Sequence, residues 1–503
     1  MVTSLFLLGK SLGAFAIASL FPVSDAGWRC QSKSYSSKWK NPCRFQYIMN
    51  LRIEMKQSLI AILILTTFFF HHTAEAEFKR MPYNVVLIMA DDSAADNYGC
   101  YGSTYFKTPV LDQLARTGAK FNHCYSSPVC TPARVKIMTG RSGIRNYVQF
   151  GTLDRDEVTF GHMMKKAGYA TAVAGKWQLH NGDRGTLAPA SGFDSYCLWN
   201  YPGTGSSRYW NPSIMQDGRL LETKPTDYGP DIFSDFLIRF IERNQDRPFF
   251  VYYPMVLVHS PFPKTPDNVS ASGITARAKG QALTNFRDMT LYADKIVGRI
   301  VSALEKHGLR ENTIIIYTTD NGTHRSLSYP FRKESRQGEK AYATDGGSHA
   351  PLIINCPGIV PPSIVSDDLV DFSDFMPTIA EITGANLPEI KLDGRSFWPQ
   401  CLGKKGHPRE WIFQYYYPKF EPAAKAHGQG MNGLEIVWAQ NQQYKLYRDG
   451  MLYAMKDRYE NFPIGSGTDS AADRARILLQ RALDSMPKRA VKLQPKKAKS
   501  KTK

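Results

Sequence analysis

Asp91 and Asp92 stand side by side just past an apolar run, Val85–Met89. Adjacent carboxylates are costly together unless a cation neutralises them. Asp320-Asn321 follows a second run, Thr313–Thr318, in the same way. Three carboxylates and an amide oxygen make a hard-oxygen site, suited to Ca²⁺ or Mg²⁺ rather than zinc. Taken singly, each Asp reads as a cap for the segment that follows; two such pairs together favour the metal. Lys176, in Gly175-Lys176-Trp177-Gln178-Leu179-His180, comes after the run Thr171–Ala174 and can hold an anionic oxygen as a point charge. His259, in Val258-His259-Ser260-Pro261-Phe262, comes after Phe249–Val256 and is placed to donate a proton to a leaving alkoxide. Lys340 offers a second cation ahead of the turn Asp345-Gly346-Gly347. Each of these alone reads equally as a loop lysine or a packed histidine. The remaining reactive side chain is Cys130, in Cys130-Thr131-Pro132-Ala133-Arg134, behind the polar turn Ser126-Ser127-Pro128-Val129.

The elements that must position these residues alternate between strands and helices. Val85–Met89, Thr171–Ala174, Phe249–Val256, Thr313–Thr318 and Leu352–Asn355 read as buried strands. Helical spacing falls on Thr108–Thr117, His162–Ala167, Ile232–Glu242, Phe286–Lys306 and Phe375–Thr383, while Thr139–Asn146 reads as a polar stretch. This rhythm predicts an α/β fold built on a large doubly wound mixed or parallel sheet, in which ligands bind at the carboxyl ends of the strands. Beyond residue 402 the pattern changes. Trp411–Tyr417, Leu434–Ala439, Gln443–Tyr447 and Met451–Met455 read as antiparallel strands and Asp473–Ser485 as a closing helix. The expected organisation is a catalytic α/β domain at 77–402 and a small C-terminal domain of antiparallel sheet plus helix at 403–487.

The ends of the chain account for most of its charge. The net +18 falls to +5 once residues 1–54 and the basic tail 488–503, with eight Lys or Arg and no acid, are set aside. The tail is expected to be disordered and solvated, and no nucleic-acid partner is expected. Met55-Lys56, the apolar run Leu59–Phe70 and Ala74-Glu75-Ala76 make a secretory signal at 55–76. Its apolar run is shorter than the roughly 20 residues a bilayer span needs, so no membrane span is expected in the mature protein. Residues 1–54 read as an upstream extension that is not native, with translation starting at Met49 or Met55. The mature part keeps six of the eight cysteines and no C-x-x-C pair, which argues against structural zinc and leaves room for one disulfide.

Taken in order, Asp91-Asp92, C-x-P-x-R at Cys130–Arg134, Gly175-Lys176-Trp177, His259 with Pro261-Phe262, Asp320-Asn321-Gly322 and Lys340 with Asp345-Gly346-Gly347 resemble the formylglycine-dependent sulfatases of the arylsulfatase type. These belong to the alkaline phosphatase-like superfamily. The resemblance runs from about Asn84 to Pro377, and Tyr444-Lys445-Leu446-Tyr447 agrees with the family in kind.

The resemblance implies that Cys130 is oxidised to formylglycine by a maturation enzyme and that its hydrated aldehyde is the nucleophile. It further implies that Asp91, Asp92, Asp320 and Asn321 hold Ca²⁺ (or Mg²⁺) with the modified Cys130 on the ion's open side. Arg134 would stabilise the hydrate, Lys176 and Lys340 would bind sulfate and leaving-group oxygens, and His259 would sit at the scissile ester oxygen. His324 is a candidate substrate contact. One departure stands out: the family usually has histidine where this chain has Gln178, and His180 is the nearest substitute. The implied activity is hydrolysis of a sulfate ester, a sulfated carbohydrate being favoured, by a secreted or periplasmic enzyme. Two alternatives remain: a formylglycine-dependent phosphonate monoester or phosphodiester hydrolase, and a catalytically dead relative that binds sulfated glycans. Specificity is expected in the loops Tyr201–Arg219 and Pro263–Gln281, with Tyr201, Tyr209 and Trp210 suited to stacking on sugar rings. Asn268-Val269-Ser270 is a glycosylation sequon only in a eukaryotic source.

Overall fold

Val85, Leu87 and Met89 point into one hydrophobic core while Val86, Ile88 and Ala90 point into another. A strand with both faces covered reads as an unbroken apolar run, and this is why the strand Asn84–Ala90 (β1) is legible in the sequence. A computed structural model of the chain describes residues 49, 55, 82–179, 187–199, 207–269, 280–417 and 435–492. The upstream extension, the signal segment 55–76 except Met55, His180, Tyr201, Ser270 of the sequon and the end of the basic tail lie outside the described residues.

Ten strands form the main sheet. After β1 they are β2 (Ala119–Tyr125), β3 (Ala170–Gly175), β4 (Ser195–Trp199), β5 (Ile214–Gln216), β6 (Arg219–Leu220), β7 (Phe249–Pro254) and β8 (Thr313–Thr319). Beyond the hairpin β9 (Ser328–Phe331) and β10 (Glu334–Gln337) come β11 (His349–Asn355) and β12 (Ile364–Asp371). The spatial order is β12-β2-β11-β8-β1-β7-β3-β4-β5-β6. Strands β8, β1, β7, β3 and β4 run parallel; β11 is antiparallel to both β8 and β2, and β2 pairs parallel with β12. The mixed doubly wound sheet expected from the sequence is therefore present. Its core strands all discharge at one edge, and β2 discharges there too.

A four-stranded antiparallel sheet, β13 (Ile412–Tyr416), β14 (Ile436–Gln440), β15 (Tyr444–Tyr447) and β16 (Leu452–Ala454), carries the helix Ser470–Asp484. Alternation again divides its labour. Val437 and Ala439 pack under that helix with Leu479 and Leu483, whereas Ile436 and Trp438 pack against Val129, Ala341 and Ala343, the neighbours of Cys130 and Lys340. At its end the chain is held as far as Lys492, whose Nζ lies 2.8 Å from Asp154 and 2.9 Å from Glu157.

Several expectations need correction. The Cys130 motif does not continue the polar turn: it begins the helix Cys130–Thr139 (α1), every residue of which is buried. The polar stretch Thr139–Asn146 contains a helical turn, Gly143–Asn146, entered through Gly140 at φ 66. Strands β2 and β12 carry polar residues on one face or along the strand, and no apolar run announces them. All six cysteines expected in the mature part are free thiols. Each is set in its own packing; Cys356 and Cys401 donate to the carbonyls of Glu311 and Phe397 at 3.4 Å. Among the described residues no helix is long and apolar enough to cross a membrane.

Candidate active site

Four neighbouring parallel strands each deliver a polar residue just past their carboxyl ends. β8 leads into Asp320-Asn321, β1 into Asp91-Asp92, β7 into His259 and β3 into Lys176. Strands lie roughly 5 Å apart, so their ends converge without help from long loops. β2 brings Cys130 to the same edge, and the segment before the antiparallel β11 brings Lys340. The turn after β3 requires its glycine: Gly175 has φ 111, and a Cβ there would lie 2.1 Å from the Pro254 carbonyl oxygen. That carbonyl accepts from Lys176 N at 2.7 Å, which fixes the lysine at the strand end.

The three carboxylates and Asn321 are fully buried. Lys176 Nζ holds both oxygens of Asp91, at 2.8 and 2.7 Å. Lys340 Nζ reaches Asp92 at 2.6 Å. Arg134 donates to Asp320 Oδ2 at 2.8 Å and to the Lys176 carbonyl at 2.6 Å, tying α1 to two strand ends. Asp92 sits at φ 63, a left-handed conformation that aspartate tolerates better than most residues. Its N–H donates to Asp320 Oδ1 at 3.1 Å. Asn321 Nδ2 donates to Asp92 Oδ1 at 2.9 Å.

Burial pushes the Asp320 carboxyl up, and the Asp91 charge pushes it further, to about 7, against the opposing pull of Arg134 and Lys176. Burial would also raise Asp91, but Lys176, His259, Arg134 and Lys340 hold it below the ordinary carboxylate range. Asp92 is likewise held low, against burial, by His259 and Lys340. A set in which one carboxyl is driven toward protonation is short of positive charge. Asn321 Oδ1 is buried with no hydrogen-bond partner, an acceptor stranded among carboxylates. Both observations fit a hard cation bound by oxygens. Asp91, Asp92 and His259 also each bring one ligand atom within 4.8 Å of the others. The oxygen-rich set around the histidine keeps the preference with calcium or magnesium.

A cavity of about 280 Å³ opens beside this cluster, lined by Cys130, His259, Lys340, Gln178, His324, Val129, Phe150, Trp199, Arg208, Arg325 and Ala341. The structure thus brings Cys130, His259, Lys340 and His324 to one cavity, with Asp91, Asp92, Asp320, Asn321, Arg134 and Lys176 joined behind it. His259 Nδ1 lies 2.5 Å from the Ser260 carbonyl, which only accepts, so Nδ1 carries the proton and Nε2 presents a lone pair 3.5 Å from Asp92. Burial holds His259 well below its ordinary value even though Asp92 pulls the other way. His324 stands nearer the solvent, with Nδ1 2.8 Å from Ser326 Oγ, and burial lowers its proton affinity as well.

Of the loop aromatics, Tyr209 and Trp210 lie within the described residues and are engaged with the protein itself. Tyr209 is buried, and its hydroxyl donates to the carbonyls of Val256 and His259, anchoring the histidine segment. Trp210 packs on Tyr228 and donates to the Lys264 carbonyl at 2.9 Å. The rings that do line the cavity, Trp199 and Phe150, carry no motif that sequence reading could have found. Arg208 was missed for the same reason.

A family model described as Sulfatase matches residues 83–385. The chain is 31% identical to human arylsulfatase A over 380 residues, covering 67% of this chain and 71% of that protein. Among solved structures it is similar to Ps i-CgsB in complex with k-i-k-neocarrahexaose, with TM-score 0.65 and 22% identity over 80% of this chain and 92% of that one. The phosphonate monoester hydrolase of Agrobacterium radiobacter is also similar, with TM-score 0.58 and 20% identity over 80% and 95% of the two chains.

Proposed function

The chain belongs to the sulfatase family of sulfuric ester hydrolases, and from that premise we propose that it cleaves a carbohydrate sulfate ester with the modified side chain of Cys130 as nucleophile. The observation that carries this reading is the placement of Cys130 on the wall of the cavity that His259 and Lys340 also line. A hydrated aldehyde at position 130 would supply a nucleophile that no unmodified side chain offers. A divalent ion held by Asp91, Asp92, Asp320 and Asn321 would supply positive charge for the sulfate oxygens.

The chain's own side chains divide the remaining work. Lys176 and Lys340 offset the negative charge of the transferred group as point charges. Arg134 holds Asp320 and the Lys176 main chain in place, so the nucleophile's helix and the acidic cluster move as one unit. His259 is neutral as it stands. An anionic ester in the cavity would raise its proton affinity and let Nε2 carry a proton to the departing oxygen. The cavity volume suits one sugar ring and its sulfate, and the similar fold of Ps i-CgsB was solved in complex with k-i-k-neocarrahexaose, in keeping with a carbohydrate substrate. Residues 55–76 would direct export, which N-terminal sequencing of the secreted protein checks.

The test is mass spectrometry of the tryptic peptide Phe121–Arg134 from protein made with a maturation enzyme, followed by a screen of sulfated sugars. An aldehyde at position 130 together with release of inorganic sulfate supports the reading. A thiol where a control sulfatase is converted refutes it. Faster hydrolysis of an aryl phosphonate than of its sulfate counterpart would move the assignment to the phosphonate class.

A further inference from the structure

Arg208 enters the cavity from the loop between β4 and β5, which leaves the same sheet edge as the strand ends that deliver the acidic cluster. Its guanidinium lies 3.9 Å from the centre of the Trp199 ring, a stack that fixes the plane of the fork. Nη1 is 3.5 Å from Asp91 Oδ2, the same oxygen that Lys176 Nζ holds at 2.7 Å. Two cations therefore converge on one point beside the cavity that Cys130 lines. Asp91, Asp92 and Asp320 are already faced by Lys176, Lys340 and Arg134 at 2.6 to 2.8 Å. The Arg208 contact is longer, and it is the one an incoming anion can most easily replace.

The neighbouring Gln178 sharpens the case. It is 7% exposed, adopts φ 54, lines the same cavity, and its Oε1 has no hydrogen-bond partner. A carboxamide carries no charge, whereas Arg208, which lines the same cavity, brings one. We infer that Arg208 binds the sulfate group being transferred: its guanidinium donates to the sulfate oxygens beside Lys176 and supplies the positive charge that Gln178 lacks. The inference rests on the sulfate-ester reading above and adds a residue to it.

Inorganic sulfate is the probe. Calorimetric titration in calcium buffer compares wild type with R208M and R208K, and kcat and KM are measured on para-nitrophenyl sulfate and on a sulfated monosaccharide. Losing a charged donor weakens sulfate binding by about tenfold or more in R208M. R208K keeps the charge without the fork and falls between. The fall in kcat/KM is the same on both substrates, because the group that Arg208 holds is common to them. Unchanged sulfate affinity in both variants overturns the inference, as does a loss confined to the sugar substrate, which would make Arg208 a reader of the leaving group. Failure of the wild type to hydrolyse any sulfate ester would sink the proposed function instead, while the sulfate-ion titration would still decide Arg208.

Discussion

Lys340 Nζ lies 2.6 Å from an oxygen of Asp92, although 248 residues separate the two in the chain. The contact closes the segment before β11 onto the end of β1, and it neutralises a carboxylate that a divalent ion would otherwise neutralise. An ion bound at the acidic cluster would therefore have to share Asp92 with this lysine.

Chelation of divalent ions should abolish turnover and lower Tm, and added calcium should restore both. A ligand that binds only the native state stabilises it by about 2.7 kcal/mol at a hundred times its Kd. Thermal melts with and without calcium check this. A Tm indifferent to calcium would remove the oxygen cluster as an ion site.

Cys130→Ser should release at most one product per active site. A serine hydroxyl can attack, but it lacks the second hydroxyl needed to release the sulfate, so the protein should end as a sulfated ester visible in its intact mass. Repeated turnovers by this variant would contradict the nucleophile assignment.

Lys136 sits six residues along α1 from Cys130, buried, with Nζ 2.5 Å from Asp371 and 3.0 Å from Gln414 Oε1. It ties the helix to β12 and to the small sheet. Lys136→Met leaves Asp371 buried without its cation and should cost about 3–5 kcal/mol of unfolding free energy by urea titration. Pairing it with Asp371→Asn should recover much of that loss. A single-variant cost below about 1 kcal/mol would show that the tie does not matter.

His349 gives stability a pH dependence of known sign. Burial lowers its proton affinity, but Asp345, at 3.3 Å, and the Asn122 carbonyl, at 2.8 Å, outweigh this and raise it above the ordinary histidine value. The stabilisation is therefore complete below about pH 6.5 and is lost as pH rises through the folded-state value. Asp345 is depressed and acts in the opposite window, losing its contribution only in acid. Tm should fall as pH rises above about 6.5 in the wild type, and this slope should flatten in His349→Gln. Identical slopes in the two proteins would count against the pair.

The site was legible in the sequence where a polar residue directly follows a strand buried on both faces, as with Asp91 after β1, Lys176 after β3 and Asp320 after β8. In such strands the hydrophobic effect writes the whole segment in apolar letters, and the first charge after it marks the edge of the sheet. Strand β2, with Lys120, Asn122 and His123, and strand β12, with Asp367 and Asp368 at a bulge, lack that marker because part of each faces polar surroundings. Arg208 and Trp199 were invisible for another reason. Their meeting depends on how the loop after β4 folds back onto the end of that strand, which no local pattern encodes. Tyr209 shows the converse: its type suggested a sugar contact, and tertiary packing gave it a carbonyl to hold.

Cys130 is 2% exposed, with all of α1 buried around it. A thiol so enclosed is out of reach of any second protein once the chain has closed. Of the walls that enclose it, Lys340 and Ala341 are made more than 200 residues after it. The conversion proposed for Cys130 would therefore have a deadline: it would have to be finished while the segment is still an extended stretch of polypeptide, and protein that folded first would be locked into an inactive form. Slowing the closure of the C-terminal half would then raise the yield of active molecules, as speeding the modifying catalyst would.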